Sequence, residues 1–301
     1  MRQTVFLFLK IVVSVLLVGF LIYKIGLDRI IGVFLNLKPW HVLLALISIA
    51  INIFLGAINI ELLLKSLDKK LPFWKLQRYY LTSWSLGLFV PGKLGEFSII
   101  HYLRKYKISL SEGLLVSLAD KGITFVVLIL LSLAGIHSYT TQNIFIAVVI
   151  LSIAIIAMSI IFFLTGIGRK FIKTKILGKR AKAFKGFAKA INKMFSKPRF
   201  IALNVLLTLV KWMVTAVAFY FILTSFGEQI SVLWIASIYA ATIIVSLIPV
   251  SFSGLGVKEG AAYFLFAAAG VNATTALSIY FIFTLLGYGI AILAIALAPK
   301  N

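Results

Sequence analysis

Val90-Pro91-Gly92-Lys93-Leu94-Gly95-Glu96 interrupts one long apolar run of this sequence, and Ile248-Pro249 through Gly254-Leu255-Gly256-Val257-Lys258-Glu259-Gly260 interrupts another. Each stretch sets a proline, closely spaced glycines, a lysine and a glutamate where an apolar helix would otherwise continue. Proline removes a backbone donor and glycine weakens a helix, so Pro91, Gly92, Gly95, Pro249, Gly254 and Gly256 mark helix breaks. Broken helices at membrane depth persist only where they are buried in protein or line a cavity. Two such breaks in corresponding halves of a chain point to a transporter.

The sequence around the breaks is that of a membrane protein. Of 301 residues, 62% are hydrophobic and 13% charged, the mean hydropathy is +1.09, and the apolar runs reach the ~20 residues that cross a bilayer. These features imply an all-α polytopic membrane protein with a single integral membrane domain over 1–301. The net charge of +22 gathers in a few short segments between apolar runs, as orientation signals do. No nucleic-acid partner is expected. Cysteine is absent, which excludes disulfides and thiolate chemistry, and His41, His101 and His137 lie too far apart for metal-ligand spacing. Gly254-Leu255-Gly256 lacks a preceding strand and the Walker pattern is missing, so no nucleotide, no other cofactor and no enzyme activity is implied. The N-terminal run 5–23 is long and has no small-residue cleavage site, and it reads as a retained first span.

About six full spans can be placed, at 5–23, 40–64, 112–134, 143–164, 200–224 and 274–297. The first broken segment runs 79–90 and resumes over 97–103; the second runs 231–248 and resumes over 261–269. Their pieces are short for a crossing and read as re-entrant helical hairpins. Lys65, Lys69, Lys70, Lys75 and Arg78 precede the first hairpin and Arg104, Lys105 and Lys107 follow it, so both its ends are expected in the cytoplasm. The segment 165–199 carries twelve Lys or Arg and no acid, whereas the loops at His137, Glu228 and Asn272 carry no Lys or Arg. Only the loop with Lys24, Arg29, Lys38 and Asp28 runs against the rule. The order span, span, hairpin, span then occurs twice with opposite orientation, over 1–134 and 143–297, as an inverted repeat in the cell membrane with cytoplasmic termini. A homo-oligomer stays open.

Within 165–199, Leu177, Ala181, Phe184, Ala188, Ile191 and Phe195 share one helical face and lysines occupy the rest. An amphipathic helix on the cytoplasmic surface is expected there, serving as a topology signal or holding anionic lipids.

Lys93 with Glu96, and Lys258 with Glu259, stand at the two breaks, where ionisable groups are costly unless paired or wet. Glycines beside them allow close backbone approach, and a helix starting after each break would offer free N–H groups to an anion such as a phosphate. Alternatively each lysine neutralises its neighbouring glutamate and holds the turn. Asp120 and Lys121 fall in the middle third of a span and are expected either to form a substrate or proton site or to make an internal pair, and Lys211, inside another span, either contributes a cation to the same cavity or snorkels. Arg104 and His101 lie at the edge of the first hairpin; Arg104 is a candidate substrate-binding residue that orientation alone would also explain, and His101 reads as a packed or interfacial histidine rather than a proton relay.

Pro91-Gly92-Lys93-Leu94-Gly95-Glu96 resembles the early P-G-(R/K)-x-G-E motif of the integral-membrane region of the lysylphosphatidylglycerol synthase family, flippase-like membrane proteins. Pro249-Val250-Ser251-Phe252-Ser253-Gly254-Leu255-Gly256-Val257-Lys258-Glu259 resembles its late P-x-S-x-x-G-L-G-(V/I)-x-E motif. The resemblance covers nearly the whole chain. It implies a protein that moves a lipid with a polar headgroup, a phospholipid or a polyprenyl-phosphate type, between leaflets. Synthase activity belongs in that family to a soluble aminoacyltransferase domain, which these residues do not contain. Members commonly carry cations where this sequence has Ile99 and Phe281, and Glu-Arg with a later acid in place of Asp120-Lys121 and Thr124. Fewer cations are therefore expected to face the substrate, and zwitterionic or sterol-like lipids stay open.

Overall fold

The computed structural model of the chain describes residues 2–136, 186–247, 251 and 254–298. The expected span at 143–164, the loop at His137, Pro249 and the basic stretch up to 185 lie outside these residues. Among the described residues there is no strand. Helices α1 (Arg2–Ile25), α2 (Leu27–Leu35), α3 (Pro39–Ser66) and α4 (Phe73–Phe89) lead to a 3₁₀ segment (Pro91–Ser98), then α5 (Ile99–Arg104) and α6 (Leu110–Ile136). After the gap follow α7 (Phe187–Phe195), α8 (Pro198–Ser225), α9 (Val232–Ser246), α10 (Val257–Ala268) and α11 (Ala273–Ala296).

Four described helices, Pro39–Ser66, Leu110–Gly135, Pro198–Ser225 and Ala273–Ala296, are long and apolar enough to cross a membrane. At ~1.5 Å per residue each exceeds the ~30 Å hydrocarbon core. They answer to four of the expected spans, and α1 covers the first. Their outward faces carry exposed Leu43, Ile47 and Phe54 on α3, Leu206, Val210 and Phe221 on α8, and Leu285 and Ile292 on α11. Such apolar exposure on polytopic helices is the surface that lipid covers. Inward, amides and hydroxyls lace α3 to α8: Asn52 Nδ2 donates to Thr215 Oγ1 and Asn59 Nδ2 to Thr208 Oγ1, both at 2.9 Å, a common form of glue between apolar helices.

Buried apolar side chains gather into two main clusters. One joins α3 to α7 around Leu63, Leu76, Leu103 and Val116; the other joins α6 and α8 to α11 around Phe219, Ile235, Phe266 and Tyr280. A third, smaller cluster of Leu21, Ile30 and Leu277 ties α1 and α2 to α11. The expected loop after the first span is thus partly a helix, because Leu27, Ile30, Ile31 and Phe34 repeat at the spacing of one helical face.

The chain turns back on itself after the first break. Tyr79 stacks on Tyr102 at 4.7 Å, Ser98 Oγ donates to Ser83 Oγ at 3.0 Å, and Gly95 lies on the backbone of Leu86, so the segment after the break runs antiparallel to α4. A Cβ on Gly95 would collide with the Leu86 carbonyl, which cannot swing aside. Gly95→Ala is therefore expected to lower unfolding stability in detergent by about 1–3 kcal/mol. Gly289→Ala, where an added Cβ meets nothing within 4 Å, supplies the neutral control in the same melt.

The amphipathic segment differs from expectation in face and in contact. Phe187, Ala190, Ile191 and Met194 are the buried side chains of α7, and they pack on α3 and α6 within the protein core, while Ala188 and Phe195 face out. Phe187, Ala190, Ile191 and Met194 recur at the spacing of one helical face, and Gly186, at φ +90°, precedes the helix as its N-cap. Lys193, at 3.2 Å, and Lys197 pair with Asp68. These ammonium groups, Lys197 foremost, hold the Asp68 carboxyl below its ordinary range.

Candidate functional site

The first break closes one side of a partly open cavity of about 260 Å³. The 3₁₀ segment contributes Gly92, Lys93, Glu96 and Phe97, α4 contributes Tyr80 and Trp84, and α6 contributes Lys121, Thr124, Phe125 and Leu128. Asn52 of α3, Lys211 and Trp212 of α8, and Ile243 and Leu247 of α9 complete the wall. Local sequence explains the alignment: Tyr80 and Trp84 are one turn apart, and Lys121, Thr124, Phe125 and Leu128 share one face of α6.

Backbone geometry at the break delivers the lysine. Gly92 (φ 67°, ψ 21°) and Lys93 (φ 56°, ψ 21°) are both left-handed. Gly92 adopts this freely. For Lys93 the conformation costs on the order of 1–2 kcal/mol, which the surrounding packing offsets, and its side chain lines the cavity.

The pairing differs from the one expected at the break. Glu96 forms its ion pair with Lys121 of α6, and Lys121 Nζ also donates to Asp120 Oδ2 at 2.9 Å. Asp120 is 2% exposed, and its Oδ1 has no hydrogen-bond partner. Lys93 and Lys211 form no ion pair within 4.0 Å among the described residues. Lys211 is buried, with its Nζ 5.6 Å above the Trp212 ring centre. Three lysines thus face two carboxylates. Two buried polar atoms of the wall, Thr124 Oγ1 and Trp212 Nε1, also lack partners.

The second break is built differently. Glu259 is fully buried; its Oε2 accepts from Gly256 N at 2.7 Å, and its Oε1 faces Lys258 Nζ at 3.5 Å and Thr284 Oγ1 at 3.4 Å. Lys258 also reaches Thr284 Oγ1 at 3.4 Å and the Tyr280 ring at 5.9 Å. Here the expected lysine–glutamate neighbours do pair. The N-terminus of α10, expected to stand open to an anion, is capped by the chain's own carboxylate instead. After the first break no free helix end forms either, because the chain continues as a 3₁₀ turn into the six-residue α5. Lys258 and Glu259 do not line the cavity, and Arg104 sits exposed at the end of α5.

Helix α11 touches both breaks. Tyr288 hydroxyl donates to the Leu88 carbonyl at 3.3 Å and its ring meets Phe89 edge-on at 5.5 Å; one turn earlier, Thr284 meets Glu259.

Of the residues singled out in the sequence, Lys93, Glu96, Lys121 and Lys211 converge on the cavity, with Asp120 directly behind. Tyr80, Trp84, Asn52 and Trp212 were not singled out for it, since aromatic and amide residues at helical spacing look the same in a core. His41 serves structure: Lys38 N donates to its Nδ1 at 3.0 Å and Ser225 lies 2.7 Å from its Nε2.

Comparison with known proteins agrees with this architecture. The family described as "Lysylphosphatidylglycerol synthase TM region" matches residues 7–295. A protein described as UPF0104 membrane protein PH1989, from Pyrococcus horikoshii, is 24% identical over 316 residues, covering 94% of this chain and 93% of that one.

Proposed function

The chain belongs to the lysylphosphatidylglycerol synthase transmembrane-region family, and from that premise we propose that it moves a polar-headgroup lipid between the leaflets of the cell membrane. The observation that carries this reading is the cavity at the first break, where Lys93 and Lys211 face open space without a carboxylate partner among the described residues. Charges at membrane depth are retained where they meet a substrate or water. At about 260 Å³ the cavity is slightly smaller than pockets that enclose a drug-sized molecule. It suits a headgroup whose chains stay in the bilayer.

In this reading the broken segments are re-entrant hairpins of an inverted repeat, entering from opposite faces, and Asp120, Lys121 and Lys211 lie along the path. The contact of α11 with both breaks supports it. The clusters of basic residues at 65–78 and 104–107 support cytoplasmic termini, and Lys189 on the exposed face of α7 is available to anionic lipid. Movement needs no enzymatic chemistry.

The test is movement of fluorescent phospholipid in proteoliposomes, with Lys211→Met as the variant, because Lys211 has no ion pair to break. Wild type is expected to move lipid, and Lys211→Met to do so about tenfold more slowly or worse. Absence of movement by well-folded wild type would favour a non-transporting lipid-binding protein. Movement of small anions without lipid would favour a solute transporter, the reading to which the modest cavity size lends weight.

A further inference from the structure

The cavity wall also specifies the chemistry of its occupant. The two buried wall atoms left without a partner, Trp212 Nε1 and Thr124 Oγ1, can both donate, and the Lys93 and Lys211 ammonium groups have no ion pair among the described residues. The acceptor of greatest strength in the wall, the Glu96 carboxylate, is already engaged by Lys121. Asp120, behind the wall, shares that same lysine. The partnerless Asp120 Oδ1 does not line the cavity, so an ammonium on the occupant would find no unpaired carboxylate in the wall itself and would face three lysines.

The aromatic walls do not change this. Tyr80, Trp84 and Trp212 could in principle hold a cation over their faces. The Trp212 ring, however, already carries Lys211 Nζ at 5.6 Å, so a second cation there would lie against a like charge.

Resting on the transport reading above, we infer that the cavity takes an amine-free phosphate headgroup, bound through Lys93 and Lys211 and oriented by Trp212 and Thr124, and discriminates against headgroups bearing a free amine. A phosphate offers acceptors only and one or more negative charges, matching a wall of donors with one net positive charge from Lys93, Lys121 and Lys211 against Glu96 and Asp120. The name of the family refers to an aminoacylated, amine-bearing lipid; the wall described here has the opposite preference.

The experiment is equilibrium binding to purified protein in nanodiscs of uncharged detergent-like lipid, titrated with phosphatidylglycerol, phosphatidylethanolamine and lysylphosphatidylglycerol, with soluble glycerol phosphate and inorganic phosphate as competitors. Phosphatidylglycerol is expected to bind on the order of tenfold tighter than either amine-bearing lipid, the scale on which like charges discriminate in a binding site. Lys93→Gly and Lys211→Met are expected to abolish that preference. Glycine is native to the left-handed conformation of position 93, so Lys93→Gly keeps the fold, and an unchanged thermal melt verifies this. Equal or tighter binding of lysylphosphatidylglycerol, or a preference that survives both variants, overturns the inference. Full competition by glycerol phosphate upholds the phosphate class and assigns its source to a soluble ester. Movement of lipid blind to headgroup overturns the inference and leaves the transport reading intact, whereas selective binding without movement does the reverse.

Discussion

Lys121→Met is expected to lower the stability of the protein by roughly 3 kcal/mol, at the low end of the ~3–5 kcal/mol lost when one partner of a buried ion pair is removed. Lys121 is the shared partner of Glu96 and Asp120, whose side chains are 11% and 2% exposed. Without it two carboxylates lie side by side with no adjacent cation. Lys121 is itself 35% exposed, so water softens the loss and the low end applies. The triple variant Lys121→Met, Glu96→Gln, Asp120→Asn removes the orphaned charges together and is expected to recover most of the loss. Chemical unfolding in mild detergent measures both. A single variant as stable as wild type would mean that Lys121 does not hold the 3₁₀ segment to α6.

Glu259→Ala is expected to cost about 3–5 kcal/mol. The carboxylate is fully buried and serves Gly256 N, Lys258 and Thr284 at once. Alanine leaves a buried N–H and a lysine without their partner, and opens a void. Glu259→Gln keeps an acceptor within reach of Gly256 and is expected to lose less than half as much, in line with the ~1–3 kcal/mol of one unsatisfied buried group. Thermal unfolding ranks the two. If Glu259→Ala melts like wild type and loses transport alone, Glu259 is a substrate group and the capping role is wrong.

Much of this was legible in the sequence because membrane crossing leaves strong marks: apolar length gave α3, α6, α8 and α11 to within a few residues, and proline with glycine gave the first break. What stayed hidden were partners distant in sequence. Nothing in Pro91 to Glu96 reveals that Glu96 reaches Lys121 rather than Lys93, since the choice depends on how the 3₁₀ segment lies against α6. The open helix end expected at α10 failed for a local reason: Glu259, three residues after Gly256, is at the spacing that caps that N–H. In α7 the buried face runs through Ile191 while Ala188 and Phe195 face out, and α2 shows that a short loop with apolar residues at 27, 30, 31 and 34 is long enough to coil.

The grip of α11 on both breaks carries a mechanical meaning. Tyr288 and Thr284 are a single turn apart, ~5.4 Å along the axis, yet one fastens to the first break at Leu88 and the other to the second at Glu259. The two breaks therefore lean on one rod at nearly the same height, as two pans hang close to one fulcrum. Tilting that rod to loosen one break presses on the other, so a gap cannot widen on both sides at once without parting one of these two fastenings.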